Sequence, residues 1–223
     1  MTRPTSARVA GLAYLVYIAV GVSNEVLMSR ATSAQGTAAT LARIAEHATD
    51  VRVSILLTLL ESFSALVLAV TLYGITRDQD HELAMVALVC RVAEGVINSI
   101  AIPNDLGLLW LANARAGVGA LDVATTNALG AFLLMPGGPV GATFFAVGST
   151  IFSYLLLRGR TVPAPLAWLG VLSSALLVVG LPLQLAGFLT GPLTGYQWLP
   201  AVVFAPALAL WLLVKGVHES ARG

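Results

Sequence analysis

Glu61, Arg91 and Glu94 sit in the middle of segments that are otherwise apolar enough to cross a membrane. A charged side chain at the bilayer centre costs roughly 2.5–3.5 kcal/mol on insertion scales, so such residues usually pair or work. Two carboxylates and one guanidinium leave one negative charge without a partner. Either one glutamate holds a proton, or a cation or cationic ligand completes the site. A carboxyl group that exchanges a proton suits proton coupling or general acid–base chemistry. A buried ion pair can equally do no more than fix helix packing and register.

Helical rise gives the depth of these groups. Glu94 lies roughly 16 Å from the inner end of its segment, at about 1.5 Å per residue. Glu61 lies about 14 Å from the outer end of its own, hence roughly 16 Å from the inner side of a ~30 Å core. The two segments are consecutive and antiparallel, so the glutamates reach one level. Arg91 is one turn below Glu94 on the same face, and Asn98 and Asp105 continue that face upward. The preceding segment answers with Ser54, Thr58 and Glu61. The first offers Tyr14, Tyr17, Asn24 and, near the outer interface, Glu25. The spacing predicts a polar cleft among the first three segments, open outward and closed at mid-depth by Glu61, Arg91 and Glu94. Glu25, Asn98, Asn104 and Asp105 would line its upper part. With Thr58 and Tyr17, these residues form a candidate ligand or proton site in which no catalytic residue stands out.

The elements that must hold this site are helices. Only 10% of the 223 residues are charged and 57% are hydrophobic, against about 25% charged in a soluble domain. Six stretches are long enough to span, near Arg8–Met28, Val51–Tyr73, Leu83–Ile102, Gly138–Leu157, Leu166–Phe188 and Trp198–Lys215. An all-α, six-span polytopic bundle in a single domain follows, because an open sheet edge cannot face lipid and no alternating barrel strands occur. The first apolar run reads as a span rather than a cleaved leader, since it is about 20 residues long and further spans follow.

Basic residues set the expected orientation. With the N-terminus inside, Arg3, Arg8, Arg77, Arg158, Arg160, Lys215 and Arg222 are cytoplasmic, against Arg30, Arg43, Arg52 and Arg115 outside. The excess favours both termini on the cytoplasmic side. Between spans one and two, Thr37–Asp50 places Ala38, Leu41, Ile44, Ala45 and Ala48 on one face. That is an amphipathic outer helix, either an interfacial spacer or a lid. In the 104–137 connection, segment 120–136 is too short and polar to span, and reads as interfacial rather than re-entrant. Pro182 and Pro206 should kink or loosen spans five and six. Trp110, Trp168, Trp198 and Trp211 lie near span ends as interfacial anchors do. Gly141, Ala142, Gly148 and Ser149 would let span four approach its neighbours closely.

Several functions lose support. A net charge of +1 gives nucleic acid no basic face to bind. Cys90 is the only cysteine, and His47, His81 and His218 have no metal-ligand spacing. No HExxH, GxSxG, phosphate loop or aspartate-rich motif is present. The reading therefore needs no cofactor and no metal.

The opening ARVAGLAYLVYIAVG, the charged CRVAEG of span three and the closing LALWLLVKGV resemble the bacterial family known as Domain of Unknown Function 4386. The likeness runs from about Arg8 to Val217, and Arg91 with Glu94 is its most specific part. It implies a multi-pass membrane architecture and carries no activity or catalytic residue with it.

Three functions compete. The first is binding or proton-coupled transport of a small or lipophilic ligand, with Glu61 or Glu94 exchanging a proton at the depth where transporter sites lie. The absence of a visible repeat would make a homo-oligomer the source of a second half. The second is an intramembrane acid–base enzyme on a lipid or isoprenoid-like substrate. The third is a structural or signalling partner whose charges only join spans two and three. In every case membrane lipids are the surrounding partner.

Overall fold

In the computed structural model, residues 3–114, 122–135 and 138–217 are described. Arg115, His218 and Arg222, and residues 120, 121 and 136 of the interfacial segment, lie outside them. The described chain is all-helical: α1 Arg3–Thr32, α2 Thr37–Glu46, α3 Ala48–Thr76, α4 His81–Ser99, α5 Ala101–Ala114, α6 Val123–Leu133, α7 Gly138–Arg158, α8 Ala164–Leu185, α9 Leu193–Tyr196 and α10 Leu199–Val214. Among the described residues, six stretches are long and apolar enough to cross a membrane: Pro4–Thr32, Ala48–Thr76, His81–Ala114, Pro139–Arg158, Ala164–Leu185 and Leu193–Val214.

The outer surface agrees with that reading. On α3, Leu56, Phe63 and Val70 are each at least 60% exposed and recur every seven residues. Leu172 and Val179 repeat the pattern on α8. A water-facing monomer rarely tolerates such continuous apolar stripes; a lipid-facing one requires them. The molecule is a membrane protein.

The spans pack in a ring. α1 lies on α3, α3 on α4, α4 on α7, α7 on α8, α8 on α10, and α10 returns to α1. Neighbours run antiparallel: Ser99 Oγ donates to Ser62 Oγ at 3.0 Å between α4 and α3, and Asn24 of α1 meets Ser54 and Thr58 of α3. Away from α2, the interior is an apolar core that includes Ala10, Leu68, Leu72, Phe152, Leu208 and Leu212. Polar groups and open space occupy the half nearer α2.

The third span differs from its expected outline. It runs on to Ala114, but its helix breaks at Ile100, between α4 and α5. Pro103 explains the break: it has no N–H to offer the Ser99 carbonyl one turn earlier. The span from His81 to Ala114 has 34 residues, which at about 1.5 Å each would far exceed a ~30 Å core. The α5 portion instead joins a cap.

That cap uses the amphipathic helix. Leu41 and Ile44 of α2 are fully buried in a cluster with Ala31, Val51, Leu108 and Leu111. The apolar face of α2 thus packs on α1, α3 and α5 within the protein. Short α6 lies against α5 and α2, its start capped by Asp122, which accepts from the Thr125 N–H at 2.9 Å. The two prolines do not end their helices: α8 runs past Pro182 and α10 past Pro206.

Candidate functional site

The centre of the ring is built around Arg91, which is 1% exposed. Its Nη1 lies 2.5 Å from Oε2 of Glu94, three residues on along α4 and also 1% exposed. Oε1 of the same carboxylate accepts a hydrogen bond from the Tyr17 hydroxyl of α1 at 2.7 Å. The guanidinium is held between two rings, 4.7 Å from the centroid of Phe145 on α7 and 5.4 Å from that of Tyr17. Ring faces attract such a cation, by about 2 kcal/mol when it is desolvated. Nη1, Nη2 and Oε2 make no aligned hydrogen bond, so the contact is ionic. The result is a charge-neutral node joining α1, α4 and α7.

Close packing makes room for it. A Cβ on Gly148 of α7 would lie 2.9 Å from Cγ of Arg91 and 3.1 Å from the Ala87 carbonyl. Only glycine there lets the arginine stem pass between α4 and α7. Gly141, one flank of the expected small-residue stripe, faces Asn98.

Glu61 behaves differently from the three-charge cluster that the spacing suggests. Among the described residues it forms no ion pair with Arg91, whose charge is matched by Glu94. It stands half-buried on α3 with Asn24 as a side-chain hydrogen-bond neighbour. Asn24 also clamps the two helices, accepting from Ser54 Oγ and donating to Thr58 Oγ1 at 3.1 Å. Replacing Asn24 by alanine is expected to cost about 1–2 kcal/mol, the sum of two modest hydrogen bonds. Unfolding of the purified variant measures this, and an unchanged midpoint would mean that the clamp contributes nothing.

Beside this node lies a cavity of about 520 Å³. Its α1 wall runs from Tyr14 and Tyr17 past Gly21 and Val22 to Glu25 and Val26. Its opposite wall is α10, with Ala201, Val202, Ala205 and Pro206, and Trp198 at the top. Glu61, Glu94 and Phe145 reach it from α3, α4 and α7. The expected cleft among spans one to three is therefore displaced: span six supplies about a third of the lining, and most of the lining is apolar.

The candidate residues divide accordingly. Glu61, Glu94, Tyr17 and Glu25 line the cavity, with Glu25 exposed at its rim. Arg91 lies behind Glu94, not on the surface of the cavity. Thr58 is buried in the α1–α3 seam. Asn98 turns to α7, and Asp105, 9% exposed, belongs to α5 beyond the helix break. Neither lines the cavity: Asn98 is taken up by α7, and the break at Ile100 carries Asp105 off the stripe that uninterrupted spacing implies.

Sequence reasoning missed Phe145 and the α10 wall. Nothing marks Phe145 within an apolar run. Pro206 does carry a signal: it deprives the Val202 carbonyl of its helical partner, leaving a backbone acceptor on the cavity wall. Among the described residues, no group of three or more His, Cys, Asp or Glu side chains could hold a metal ion.

No curated protein and no solved structure matches the chain. A family match covers residues 9–216, almost the whole length, under the description Domain of unknown function (DUF4386). With Arg91 and Glu94 at the heart of the matched region, the chain belongs to that family.

Proposed function

We propose that this protein binds a small lipophilic ligand in the cavity between α1 and α10 and couples its passage or release to a proton on Glu61 or Glu94. The supporting observation is an apolar-walled space of about 520 Å³ that ends on those two carboxylates. Such a volume is in the range of small-molecule sites, which are mostly apolar with a few placed polar groups. Because Glu94 is already engaged by Arg91 and Tyr17, Glu61 is the better placed of the two to exchange a proton. In the bacterial cytoplasmic membrane, with both termini inside, the cavity faces the outer half of the bilayer.

A second reading keeps the same cavity and makes the protein an acid–base enzyme on an isoprenoid-like lipid. The Tyr17–Glu94 hydrogen bond at 2.7 Å, set beside Glu61, favours it. Unchanged lipid extracts from cells expressing folded protein would remove it.

Gentle purification followed by native mass spectrometry tests the first reading. Wild type is expected to retain a molecule of defined mass, and Ala205→Phe, which fills the cavity, is expected to lose it. An empty wild type, or retention unaffected by a stably folded Ala205→Phe, would overturn the proposal.

A further inference from the structure

We infer that the cavity selects lipophilic cations drawn from the bilayer, with Glu61 as the counter-charge. The inference rests on the cavity being the ligand site and adds the chemical class of its occupant.

The shape comes from one close contact. A Cβ on Gly11 of α1 would lie 2.6 Å from the Leu213 nitrogen and 2.7 Å from the Ala209 carbonyl of α10. The two helices touch backbone to backbone there. Two to three turns further along, they stand apart around the cavity, with Val22 and Val202 on its rim. Val22 is 61% exposed and Val202 62% exposed, on the outside of the ring where lipid lies. The gap is thus a V that closes at Gly11 and opens sideways into the bilayer. From Tyr14 to Glu25 it extends roughly 16 Å along α1, at about 1.5 Å per residue. A solute arriving by this route must first dissolve in the membrane.

The charge comes from what the lining lacks. Among the described residues no lysine or arginine lines the cavity, whereas Glu25, Glu61 and Glu94 do. Arg91 neutralises Glu94 at 2.5 Å, which leaves Glu61 at depth and Glu25 at the rim. The titratable groups facing Glu61 are Tyr17 on its α1 side and Glu94 and Arg91 on its α4 side. From α7 and α10 the described lining consists of Phe145, Trp198, Pro206 and aliphatic residues. A cation among these groups gains a carboxylate and flanking aromatic faces. A neutral ligand leaves the carboxylate to find a proton, and an anion meets only repulsion. Cation and proton therefore compete for one group.

The test uses wild-type protein in lipid nanodiscs, titrated with tetraphenylphosphonium. Triphenylphosphine oxide and tetraphenylborate serve as uncharged and anionic controls of similar apolar build. The phosphonium is expected to bind about tenfold or more tighter than the oxide, and the borate not to bind. The preference should vanish in Glu61→Gln and return in Glu61→Asp. Acidic buffer should weaken phosphonium binding to wild type. Equal affinity for phosphonium and oxide would overturn the inference while leaving a lipophilic-ligand site in place. No binding of either probe would also overturn it, and the retained-ligand experiment then decides separately whether the cavity is a ligand site. A cation preference surviving Glu61→Gln would show that Glu61 is not the counter-charge and would overturn the inference.

Discussion

Replacing Arg91 by methionine alone is expected to destabilise the protein by about 3–5 kcal/mol, the usual cost of stranding one member of a buried pair. Glu94 would be left 1% exposed with only the Tyr17 hydroxyl to answer its charge. Methionine keeps most of the volume of the stem that runs past Gly148, so the loss reports charge more than packing. Adding Glu94→Leu should recover most of it, because removing both members of a buried pair is often neutral or stabilising. Unfolding of the single and double variants in detergent or nanodiscs measures the coupling. Equal losses in both would locate the contribution of Arg91 in the Phe145 and Tyr17 rings instead of in Glu94. The double variant keeps Glu61, so ligand retention by it would separate the structural node from the site that node supports.

Gly11→Leu is expected to be the other large effect. The three atoms nearest an added Cβ, the Leu213 nitrogen and Cα and the Ala209 carbonyl, all belong to the backbone of α10. No side-chain rotamer can relieve the clash, so the helices must separate. Overpacking of this kind costs about 1–3 kcal/mol. Here it should also open the floor of the cavity below Tyr14. The checks are a lowered unfolding midpoint together with weaker retention of whatever the wild type carries. Gly195→Ala is a fitting control, since an added Cβ there meets nothing within 4 Å. A Gly11→Leu protein as stable as wild type would mean that the α1–α10 contact is not what closes the V.

Much of the architecture is legible in the order of the residues. The charge content and the six apolar runs specify a helical membrane bundle, because a span of about 20 residues can satisfy its backbone in lipid only as a helix. Depth is legible for the same reason: a fixed rise per residue brings Glu61 and Glu94 to one level, and both do line one cavity. The Arg91–Glu94 pair is readable too, since residues three apart on a helix are neighbours. The extent of α5 is not: the apolar pattern ends the third span near Ile102, whereas the chain resumes as helix from Ala101 to Ala114 and packs on α2.

Partners across the bundle are a different kind of information. Periodicity states which face of a helix is polar; it does not state which neighbour that face meets, nor at what crossing angle. Those depend on contacts between distant residues, such as Gly148 on Arg91 and Gly11 on Leu213. The tertiary structure alone decided that Arg91 is shared with Phe145 and Tyr17 and not with Glu61. It also decided that α10 closes the ring onto α1, and that their divergence leaves an apolar space instead of a polar cleft. The sequence by itself determined the membrane, the helices and the level of the charges, all set by local geometry and by the thickness of the bilayer. Which charge is paired and which faces the cavity was decided only by packing, because the separation of two helices depends on the smallest residues where they cross.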